Sequence, residues 1–487
     1  MTQNHLYATI LAGGSGQRFW PLSRELNPKQ LLSMFGTESL IAAAVHRILP
    51  FAEDGSSVVV ATNERLFDEL RNHLTAQPDP ELHAVRYILE PVPRNTAPAI
   101  ALAAATFVAE DPDAMMVVLP SDHLLEDGAV WADCIRAAAL VAADGYLVTI
   151  GITPTRPETG YGYICAGEAL PACAVGSVTP HVVAEFVEKP DAERAEEFVN
   201  SGEYYWNAGI FVMRAAAVLE ELDRAGGEEA RIADAARWIA AQPAAVQRGE
   251  EARERFSALA PLSIDVAVME RSERVAVIPA PLKWSDVGSL LALDDVTPAD
   301  ENGNVRVGRG VDIDSSGSII YSTDRLVATL GVQDLIVVDT ADATLVLPKS
   351  RAQDVRQVVD ALKLLGAPEV TQPKVSLRPW GSWQCLLSGP GYQIKLLEIK
   401  PGCKPSLQRH KHRSEHWIVV AGSAVVTRDE EIIDVPVNEA VFIPLGAVHR
   451  VENRESEMLQ IIEVQVGGYL GEDDIVRLED DWARGAG

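Results

Sequence analysis

The first 150 residues alternate between short apolar runs and longer segments with helical spacing, and this alternation constrains the fold more than any other feature. The apolar runs, predicted to be strands, are Tyr7–Leu11, Ser57–Ala61, Val85–Leu89, Met115–Leu119 and Leu147–Ile150. The segments between them, predicted to be helices, are Ser39–Leu49, Glu64–Leu74, Ala97–Ala109 and Val130–Ala143. This order predicts an α/β fold, a doubly wound and mainly parallel sheet with helices on both faces. Ligands of such sheets bind beyond the carboxyl ends of the strands.

The pattern changes near Thr297, where strand-like pieces follow one another with few helices. The predicted strands are Ser318–Ser322, Leu326–Leu330, Leu335–Val338 and Thr344–Leu347, and a helix is predicted at Ala352–Leu364. Ala367–Lys374 is typical of a linker, and the short β-rich segments of Arg378–Gly487 indicate a barrel or sandwich. We therefore expect three domains, 1–296, 297–366 and 367–487, within the two to four that roughly 100–200 residues per domain allow for this length.

The charge and composition exclude several classes of function. The formal net charge of −28 repels nucleic acids and anionic membranes, so neither is expected as a partner. The five cysteines form no CxxC pair and fit a reducing compartment. The N-terminus shows no signal peptide, and the longest apolar stretch is shorter than the about 20 residues of a membrane span. We expect a cytoplasmic protein, and the sequence leaves open whether it forms a homo-oligomer.

A glycine-rich loop follows the first predicted strand, in LAGGSGQRFWPLSRELNPKQLL (Leu11–Leu32). It is not a Walker A loop, and it is not GxGxxG, because Phe19 stands where the third glycine would fall. Its glycines would let backbone N–H groups approach phosphate oxygens, and Arg18 and Lys29 could neutralise a triphosphate. A purely structural turn is the alternative.

The loop resembles the signature of sugar-nucleotide pyrophosphorylases, and its form LAGGSGxRxWPLSRxxxPKQ is similar to that of mannose-1-phosphate guanylyltransferases. One departure is Gln17, where threonine is usual. Later segments resemble the same family in order: EPVPRNTAPAI (Glu90–Ile100), LPSDH (Leu119–His123), TGYGYI (Thr159–Ile164), FVEKP (Phe186–Pro190), YWNAGIFV (Tyr205–Val212) and WSDVG (Trp284–Gly288). The resemblance implies a Rossmann-like nucleotide-diphospho-sugar transferase fold.

The resemblance also implies roles for individual residues. Those expected to bind the nucleotide are Leu11, Ala12, Gly13, Gly14, Gly16, Arg18, Lys29, Arg94, Asn95, Pro120 and Asp122. Those expected to bind the sugar phosphate are Gly162, Glu188, Lys189 and Asn207. Asp122 and Asp286 would hold Mg²⁺, and the residues expected to act in catalysis are Arg18, Lys29, Asp122, Lys189 and Asp286. For Asp122 the alternative is a solvated loop residue or a helix N-cap, and for Asn95 it is an N-cap.

The implied reaction is the attack of a sugar 1-phosphate on the α-phosphorus of a nucleoside triphosphate, with release of pyrophosphate. The attacking phosphate is already ionised at neutral pH, so no dedicated base is needed. The protein has to position two anions and neutralise their charge. We expect no covalent intermediate.

A second cluster of metal-ligand residue types lies in PGCKPSLQRHKHRSEHWIVVAG (Pro401–Gly422). The plain reading pairs His410 with His412, but the spacing of the first cupin motif fits only with Gln408 in the first histidine position. The predicted ligands of Zn²⁺ or another divalent metal are therefore Gln408, His410, Glu415 and His449. This part, including RPWGSW and LGEDDIVRLED, resembles type II phosphomannose isomerases, which implies a C-terminal cupin β-barrel.

Together, the two halves resemble the bifunctional mannose-6-phosphate isomerase and mannose-1-phosphate guanylyltransferase family. The expected ligands are GTP, mannose 1-phosphate and mannose 6-phosphate, and a phosphomutase would have to act between the two sites. Two alternatives stay open at this stage. The cupin could be non-catalytic beside an active guanylyltransferase, or the whole chain could be a non-enzymatic regulator that binds sugar nucleotides.

Overall fold

A computed structural model describes residues 6–14, 16–36, 38–125 and 128–479. The start of the predicted domain 1–296 (residues 1–5) and the end of the predicted domain 367–487 (residues 480–487) therefore lie outside the described residues.

The N-terminal part is built on a nine-stranded sheet of order β3-β2-β1-β4-β9-β6-β10-β8-β7, with a separate small pair of β5 and β11. Its strands are β1 (Leu6–Leu11), β2 (Val58–Asn63), β3 (Arg86–Glu90), β4 (Met115–Pro120), β5 (Leu124–Leu125), β6 (Leu147–Ile152), β7 (Tyr163–Ala169), β8 (His181–Val187), β9 (Tyr204–Arg214), β10 (Val275–Ala280) and β11 (Trp284–Ser285). Its helices are α1 (Leu40–Ile48), α2 (Glu64–Thr75), α3 (Pro80–Ala84), α4 (Thr96–Glu110), α5 (Ala129–Ala143), α6 (Ala192–Ser201), α7 (Ala215–Ala225), α8 (Gly227–Ala240), α9 (Ala244–Gln247), α10 (Glu250–Ser257) and α11 (Ala292–Val296).

The predicted α/β fold class is confirmed. Strands β3, β2, β1 and β4 run parallel, and β9 lies antiparallel between β4 and β6. Helices α1, α2 and α5 pack on one face of the sheet, and α4, α7 and α8 pack on the other. The parallel register sets Leu11 beside Pro120, and β3 ends at Glu90 on the same edge. The carboxyl ends of these strands therefore meet where the glycine-rich loop begins.

A small β-rich unit follows, with strands β12 (Val305–Val307), β13 (Gly310–Ile313), β14 (Ile319–Ser322), β15 (Val327–Leu330), β16 (Leu335–Asp339) and β17 (Thr344–Pro348) and helix α12 (Val355–Leu364). Strands β12, β14 and β16 stack in parallel, as do β13 and β15. Its core is shared with the glycine-rich loop, because Phe19, Trp20 and Leu22 pack in one cluster with Ile336 and Val355. The loop is therefore held from both sides, by the large sheet and by this unit.

The expectation of a linker at Ala367–Lys374 is wrong, because this segment is packed against the N-terminal part. Val370 is buried, and its carbonyl accepts a hydrogen bond from the N–H of Glu25. The indole of Trp20 donates to the carbonyl of Glu369 at 3.1 Å. The composition of the segment resembles a linker because proline and polar residues dominate it, but these long-range contacts order it.

The C-terminal part is a barrel of two antiparallel sheets, of order β18-β19-β20-β27-β22-β25 and β24-β23-β26-β21-β28. Its strands are β18 (Val375–Arg378), β19 (Gly381–Gly389), β20 (Tyr392–Ile399), β21 (Leu407–His410), β22 (Arg413–Ala421), β23 (Ser423–Arg428), β24 (Glu431–Pro436), β25 (Ala440–Ile443), β26 (His449–Glu452), β27 (Leu459–Gly467) and β28 (Ile475–Glu479). Residues of both sheets form one apolar cluster, which includes Trp383, Trp417 and Val426. The predicted cupin β-barrel is confirmed.

No helix among the described residues combines the length and the apolar character that crossing a membrane would require.

Candidate functional sites

Two glycines of the first loop serve different purposes. A Cβ atom on Gly14 would meet no other atom within 4 Å, so its backbone faces open space that a ligand can enter. Gly16 has a left-handed φ of 59°, and a Cβ there would lie 2.5 Å from the Cβ of Lys29. Gly16 therefore allows the loop to pack on Lys29, whereas Gly14 leaves room for a ligand.

Lys29 is buried and its ammonium joins three segments of the chain. Its Nζ lies 2.8 Å from Asp122 Oδ2. It also donates to the backbone carbonyls of Asp286 at 2.9 Å and Val287 at 2.8 Å. Val287 is buried and has a left-handed φ of 48°, a conformation that is costly for a β-branched residue. Lys29 was expected to contact a triphosphate, but its three N–H donors are already engaged by the protein.

The two predicted magnesium ligands lie on either side of Lys29. Burial by itself would raise the pKa of Asp122, but Lys29, His123 and a backbone hydrogen bond together outweigh it and the net pKa is lowered. The carboxylate of Asp286 accepts from the Tyr161 hydroxyl at 2.6 Å and from the Gly288 N–H at 3.1 Å, both at Oδ1. Among the described residues, Oδ2 of Asp286 makes no hydrogen bond. Both carboxylates therefore offer oxygen ligands of the kind that Mg²⁺ binds.

An aromatic group behind these carboxylates fixes their surroundings. The indole of Trp284 donates to Nδ1 of His123 at 3.2 Å, which leaves the proton of a neutral imidazole on Nε2. That nitrogen lies 4.0 Å from Asp122 Oδ1. Burial lowers the pKa of His123 and favours this neutral form. No role for His123 or Trp284 was predicted from the sequence.

Two cavities open at this edge of the sheet and share Asp122. The larger has a volume of about 440 Å³ and the smaller about 350 Å³. The predicted nucleotide-binding residues that line the larger are Leu11, Ala12, Gly13, Gly14, Arg94, Asn95, Pro120 and Asp122. Those of the smaller are Gly16, Arg18, Lys29 and Asp122, and Asp286 and Gln17 join them. The structure thus brings all the predicted nucleotide-binding residues and both predicted magnesium ligands into one continuous site.

Asn95 caps helix α4, whose N-terminus faces the larger cavity. Its side-chain oxygen accepts from the N–H of Thr96 at 2.9 Å. The neighbouring Arg94 turns its guanidinium to the carbonyl of Ser257. Of the two readings of Asn95, the cap is therefore present, and the positive helix end also points to the cavity.

Glu90 is a buried carboxyl group in the larger cavity that the sequence analysis did not identify. It is 6% exposed, and its Oε1 lies 3.4 Å from the position that a Cβ of Gly13 would occupy. Burial raises its pKa to about 7, and a hydrogen bond from the backbone of Arg94 opposes that rise. Glu90 directly follows a predicted strand and precedes a proline, and this position at the ligand-binding edge of the sheet could have identified it from the sequence.

The predicted sugar-phosphate residues form a group next to the larger cavity. The amide of Asn207 donates to Asp265 Oδ1 at 2.7 Å, and the N–H of Asn207 donates to the carbonyl of Gly162 at 2.8 Å. Asp265 lines the larger cavity, and burial, with a contribution from the charge of Glu188, raises its pKa to about 6. The ammonium of Lys189 is exposed and lies 2.5 Å from Glu188 Oε1. Asp265, in a single π-helical turn, gave no signal in the sequence.

In the barrel, His410, Glu415 and His449 bring their ligand atoms within 4.8 Å of one another. All three side chains are buried, and among the described residues Nε2 of neither histidine has a hydrogen-bond partner, although Nε2 of His410 lies 3.1 Å from Glu415 Oε1. Nδ1 of His449 lies 3.0 Å from the carbonyl of Ala447, so it carries the proton and Nε2 presents a lone pair. Two buried imidazole lone pairs beside a carboxylate form a donor set that fits a divalent metal.

The other residues of the predicted metal motif are placed differently. Gln408 pairs with His449 across strands β21 and β26, and the two residues line a cavity of the barrel together with Glu415. His412 has a side chain 57% exposed and is bound to Asp474 at 2.8 Å. The structure thus places Gln408 near the buried cluster and His412 away from it.

Charged groups surround the metal cluster. Trp417 donates to both Glu415 and Glu463 at 3.1 Å. Burial, with the nearby charge of Glu415, raises the pKa of Glu463 to about 8. The basic residues that line the same cavity are Arg378, Lys395, Arg413, Arg450 and Arg477. This cavity therefore brings two of the three clustered donors, Glu415 and His449, next to a cationic wall.

Three known protein-family models match successive parts of the chain. Residues 7–303 match the model of the Nucleotidyl transferase family. Residues 308–362 match the MannoseP isomerase/GMP-like beta-helix domain, and residues 366–480 match the Mannose-6-phosphate isomerase C-terminal domain.

Individual relatives are similar along their whole length. The xanthan biosynthesis protein XanB of Xanthomonas campestris pv. campestris is 43% identical over 479 residues, with 98% of each chain covered. The mannose-1-phosphate guanylyltransferase ManC of Salmonella typhimurium is 42% identical over 492 residues, with 99% of each covered. A crystal structure described as mannose-1-phosphate geranyltransferase, from Thermus thermophilus, is 33% identical with a TM-score of 0.64 and covers 74% of this chain and 99% of its own. The chain therefore belongs to the family of nucleotidyl transferases that continue into a mannose-6-phosphate isomerase C-terminal domain.

Proposed function

We propose that domain 1–296 transfers GMP from GTP to mannose 1-phosphate, giving GDP-mannose and pyrophosphate. The observation that carries the proposal is the continuous site in which Asp122 and Asp286 face Arg18 and open into the cavity of Glu90. Relatives named mannose-1-phosphate guanylyltransferase, such as that of Klebsiella pneumoniae at 41% identity, support the choice of substrates.

In this proposal each group of residues positions or neutralises one part of the substrates. Asp122 and Asp286 would hold Mg²⁺, which supplies charge neutralisation for the phosphates. The open backbone at Gly14 lets N–H groups approach the triphosphate. Lys189, exposed beside Glu188, binds the phosphate of the sugar. The attacking phosphate oxygen is ionised, so no residue is assigned as a base.

The choice of guanine rests on Glu90. Guanine presents two adjacent donors, N1–H and the 2-amino group, on one edge, and an ionised carboxylate accepts both. Adenine, cytosine and uracil do not present two such adjacent donors on that edge. A buried carboxyl group at the wall of the larger cavity therefore favours guanine.

The test is pyrophosphate release with each nucleoside triphosphate and a panel of sugar 1-phosphates. Inosine triphosphate isolates the role of Glu90, because its base keeps N1–H but lacks the amino group. Wild type should prefer GTP over ITP, and Glu90→Gln should lose most of that preference, since its amide NH₂ would face the guanine amino group. Asp122→Asn is the control that should slow all nucleotides, by about 10²–10³. If no combination of nucleoside triphosphate and sugar 1-phosphate releases pyrophosphate, the alternative of a non-enzymatic sugar-nucleotide-binding protein is favoured.

We propose as a second function the interconversion of mannose 6-phosphate and fructose 6-phosphate at the barrel. It is supported by the cluster of His410, Glu415 and His449, of which Glu415 and His449 line a cavity with a cationic wall. Gln408 would complete the ligand set of Zn²⁺ or another divalent metal, which would polarise the sugar oxygens. The cavity volume of about 70 Å³ is well below the about 300 Å³ of typical ligand pockets, so side chains must move for substrate to enter.

The isomerase proposal is tested with the full chain. His410→Ala should lose bound metal and isomerase activity, while pyrophosphate release serves as the control for folding. Metal bound without any isomerisation of mannose 6-phosphate would favour the alternative of a non-catalytic cupin.

A further inference from the structure

An arginine of the middle unit lines the smaller cavity of the nucleotidyl transferase site. Arg356 lies in the first turn of α12, next to Val355, which is buried against the cluster of Phe19. It joins Arg18, Asp122 and Asp286 in the wall of the 350 Å³ cavity. A residue more than 300 positions away in the sequence is thus held at the glycine-rich loop by the shared core.

The guanidinium of Arg356 is available for a ligand. Its side chain is 73% exposed, and its nearest acidic partner is Asp360, at 4.0 Å on the same helix. An exposed pair of this kind contributes little to stability, so a phosphate can easily replace Asp360 as the partner of Arg356. Lys29, in contrast, is fully engaged by Asp122 and two carbonyls.

The charges of the side chains that line the smaller cavity favour a further cation there. In the smaller cavity the two carboxylates carry −2 and Lys29 carries +1, which gives −1 before any substrate binds. Arg18 and Arg356 change this to +1. Lys29 already pairs with Asp122. Among the described residues that line this cavity, Arg18 and Arg356 are therefore the cations that can turn to phosphate oxygens.

We propose that Arg356 binds the β- and γ-phosphates of the nucleotide and the pyrophosphate that leaves. This inference rests on the proposed nucleotidyl transfer. A phosphate oxygen of the sugar phosphate forms a bond to the α-phosphorus, and the bond from the α-phosphorus to the bridging oxygen breaks. The electron pair goes to that oxygen, so negative charge grows on pyrophosphate, where Arg356 neutralises it. No proton has to move in this step.

The position of the cavity explains why the outer phosphates are assigned. Glu90 and Gly13 line the larger cavity, on the far side of Asp122, where the base is proposed to lie. The smaller cavity holds the turn Gln17–Phe19, against which α12 packs. The phosphates farthest from the base therefore lie beside Arg356.

The experiment compares Arg356→Ala with Arg351→Ala in the full chain. Arg351 precedes α12, is 59% exposed and forms a similar short-range pair with Asp354, but does not line the cavity. In the forward reaction, Arg356→Ala should raise the Michaelis constant for GTP about 10-fold to 100-fold and leave that for mannose 1-phosphate unchanged. In reverse, the Michaelis constant for pyrophosphate should rise similarly and that for GDP-mannose should change little.

The outcomes separate this inference from the proposed function. If wild type converts GTP and Arg356→Ala equals Arg351→Ala in all four constants, Arg356 does not bind the phosphates. If wild type releases no pyrophosphate, the proposed function fails first. Arg356→Lys should recover part of the affinity for pyrophosphate, whereas a merely structural effect of Arg356→Ala would alter all four constants together.

Discussion

Replacing Lys29 with methionine separates a structural role of this residue from a role in binding phosphate. Methionine keeps an unbranched apolar chain as far as Cε but removes the ammonium, together with the contact of Nζ with the ring of Phe19. If Lys29 joins the loop, β4 and the segment after β11 as the structure indicates, the variant loses stability before any ligand is added. If Lys29 only contacts phosphate, the free protein is unaffected.

The size of the effect follows from the three contacts. Hydrogen bonds to a charged group are worth about 1.5–3 kcal/mol each, and Val287 is buried, so water cannot replace Lys29 at its carbonyl. The carboxylate of Asp122 is 35% exposed, so water takes over part of the lost interaction there. We therefore expect a loss of about 3 kcal/mol, the lower end of the about 3–5 kcal/mol seen when one partner of a buried ion pair is removed.

The assay is urea unfolding of the ligand-free protein, followed by tryptophan fluorescence. Lys349→Met is the matched control. Lys349 pairs with Asp294 at 2.8 Å, but its side chain is 20% exposed against 6% for Lys29, so less than about 1 kcal/mol should be lost. Equal unfolding of the two variants, with only the Michaelis constant for GTP raised in Lys29→Met, would refute the structural role.

Three further predictions concern the loop, the barrel and the base pocket. Gly16→Ala should lower the thermal unfolding midpoint, because its Cβ would overlap Lys29. Gly14→Ala should keep the midpoint but raise the Michaelis constant for GTP. Thermal unfolding scans and steady-state kinetics of both variants check this. His449→Ala should lose the barrel metal and His412→Ala should keep it, as measured by elemental analysis, and the opposite result would restore the plain pairing of His410 with His412. Because the raised pKa of Glu90, about 7, means that it is protonated below pH 7, kcat/KM for GTP should fall between pH 8 and pH 6, and this step should vanish in Glu90→Gln.

The sequence predicted local elements well where periodicity is strong. The strand predicted at Met115–Leu119 is found at Met115–Pro120, and the helix predicted at Glu64–Leu74 is found at Glu64–Thr75. The strand is a continuous apolar run because both of its faces are buried, whereas the helix shows helical spacing because it buries one face. Both patterns can be recognised from residues that are neighbours in the sequence. The helix predicted at Ala352–Leu364 begins later, at Val355, because a 3₁₀ segment precedes it.

What the sequence did not predict depends on contacts between distant segments. The cavity position of Arg356 is set by the shared core with Phe19, and nothing near Arg356 in the sequence signals it. Asp265 meets Asn207 only through the fold. The hydrogen bonds of Lys29 could not be predicted for the same reason. Two of its three partners are backbone carbonyls, and no residue pattern in the sequence indicates where these lie.

The packed segment 367–374 has a practical consequence for anyone who divides the chain to assay one activity. A shortened protein that ends at residue 366 keeps α12 but lacks Val370, which is 4% exposed, and the carbonyl of Glu369 that accepts from Trp20. Its glycine-rich loop would be loosened and apolar surface uncovered, so it would tend to aggregate. The resulting loss of nucleotidyl transfer would then be mistaken for dependence on the barrel. A truncation after residue 374 keeps these contacts, and the pair of truncations distinguishes a damaged loop from communication between the two sites.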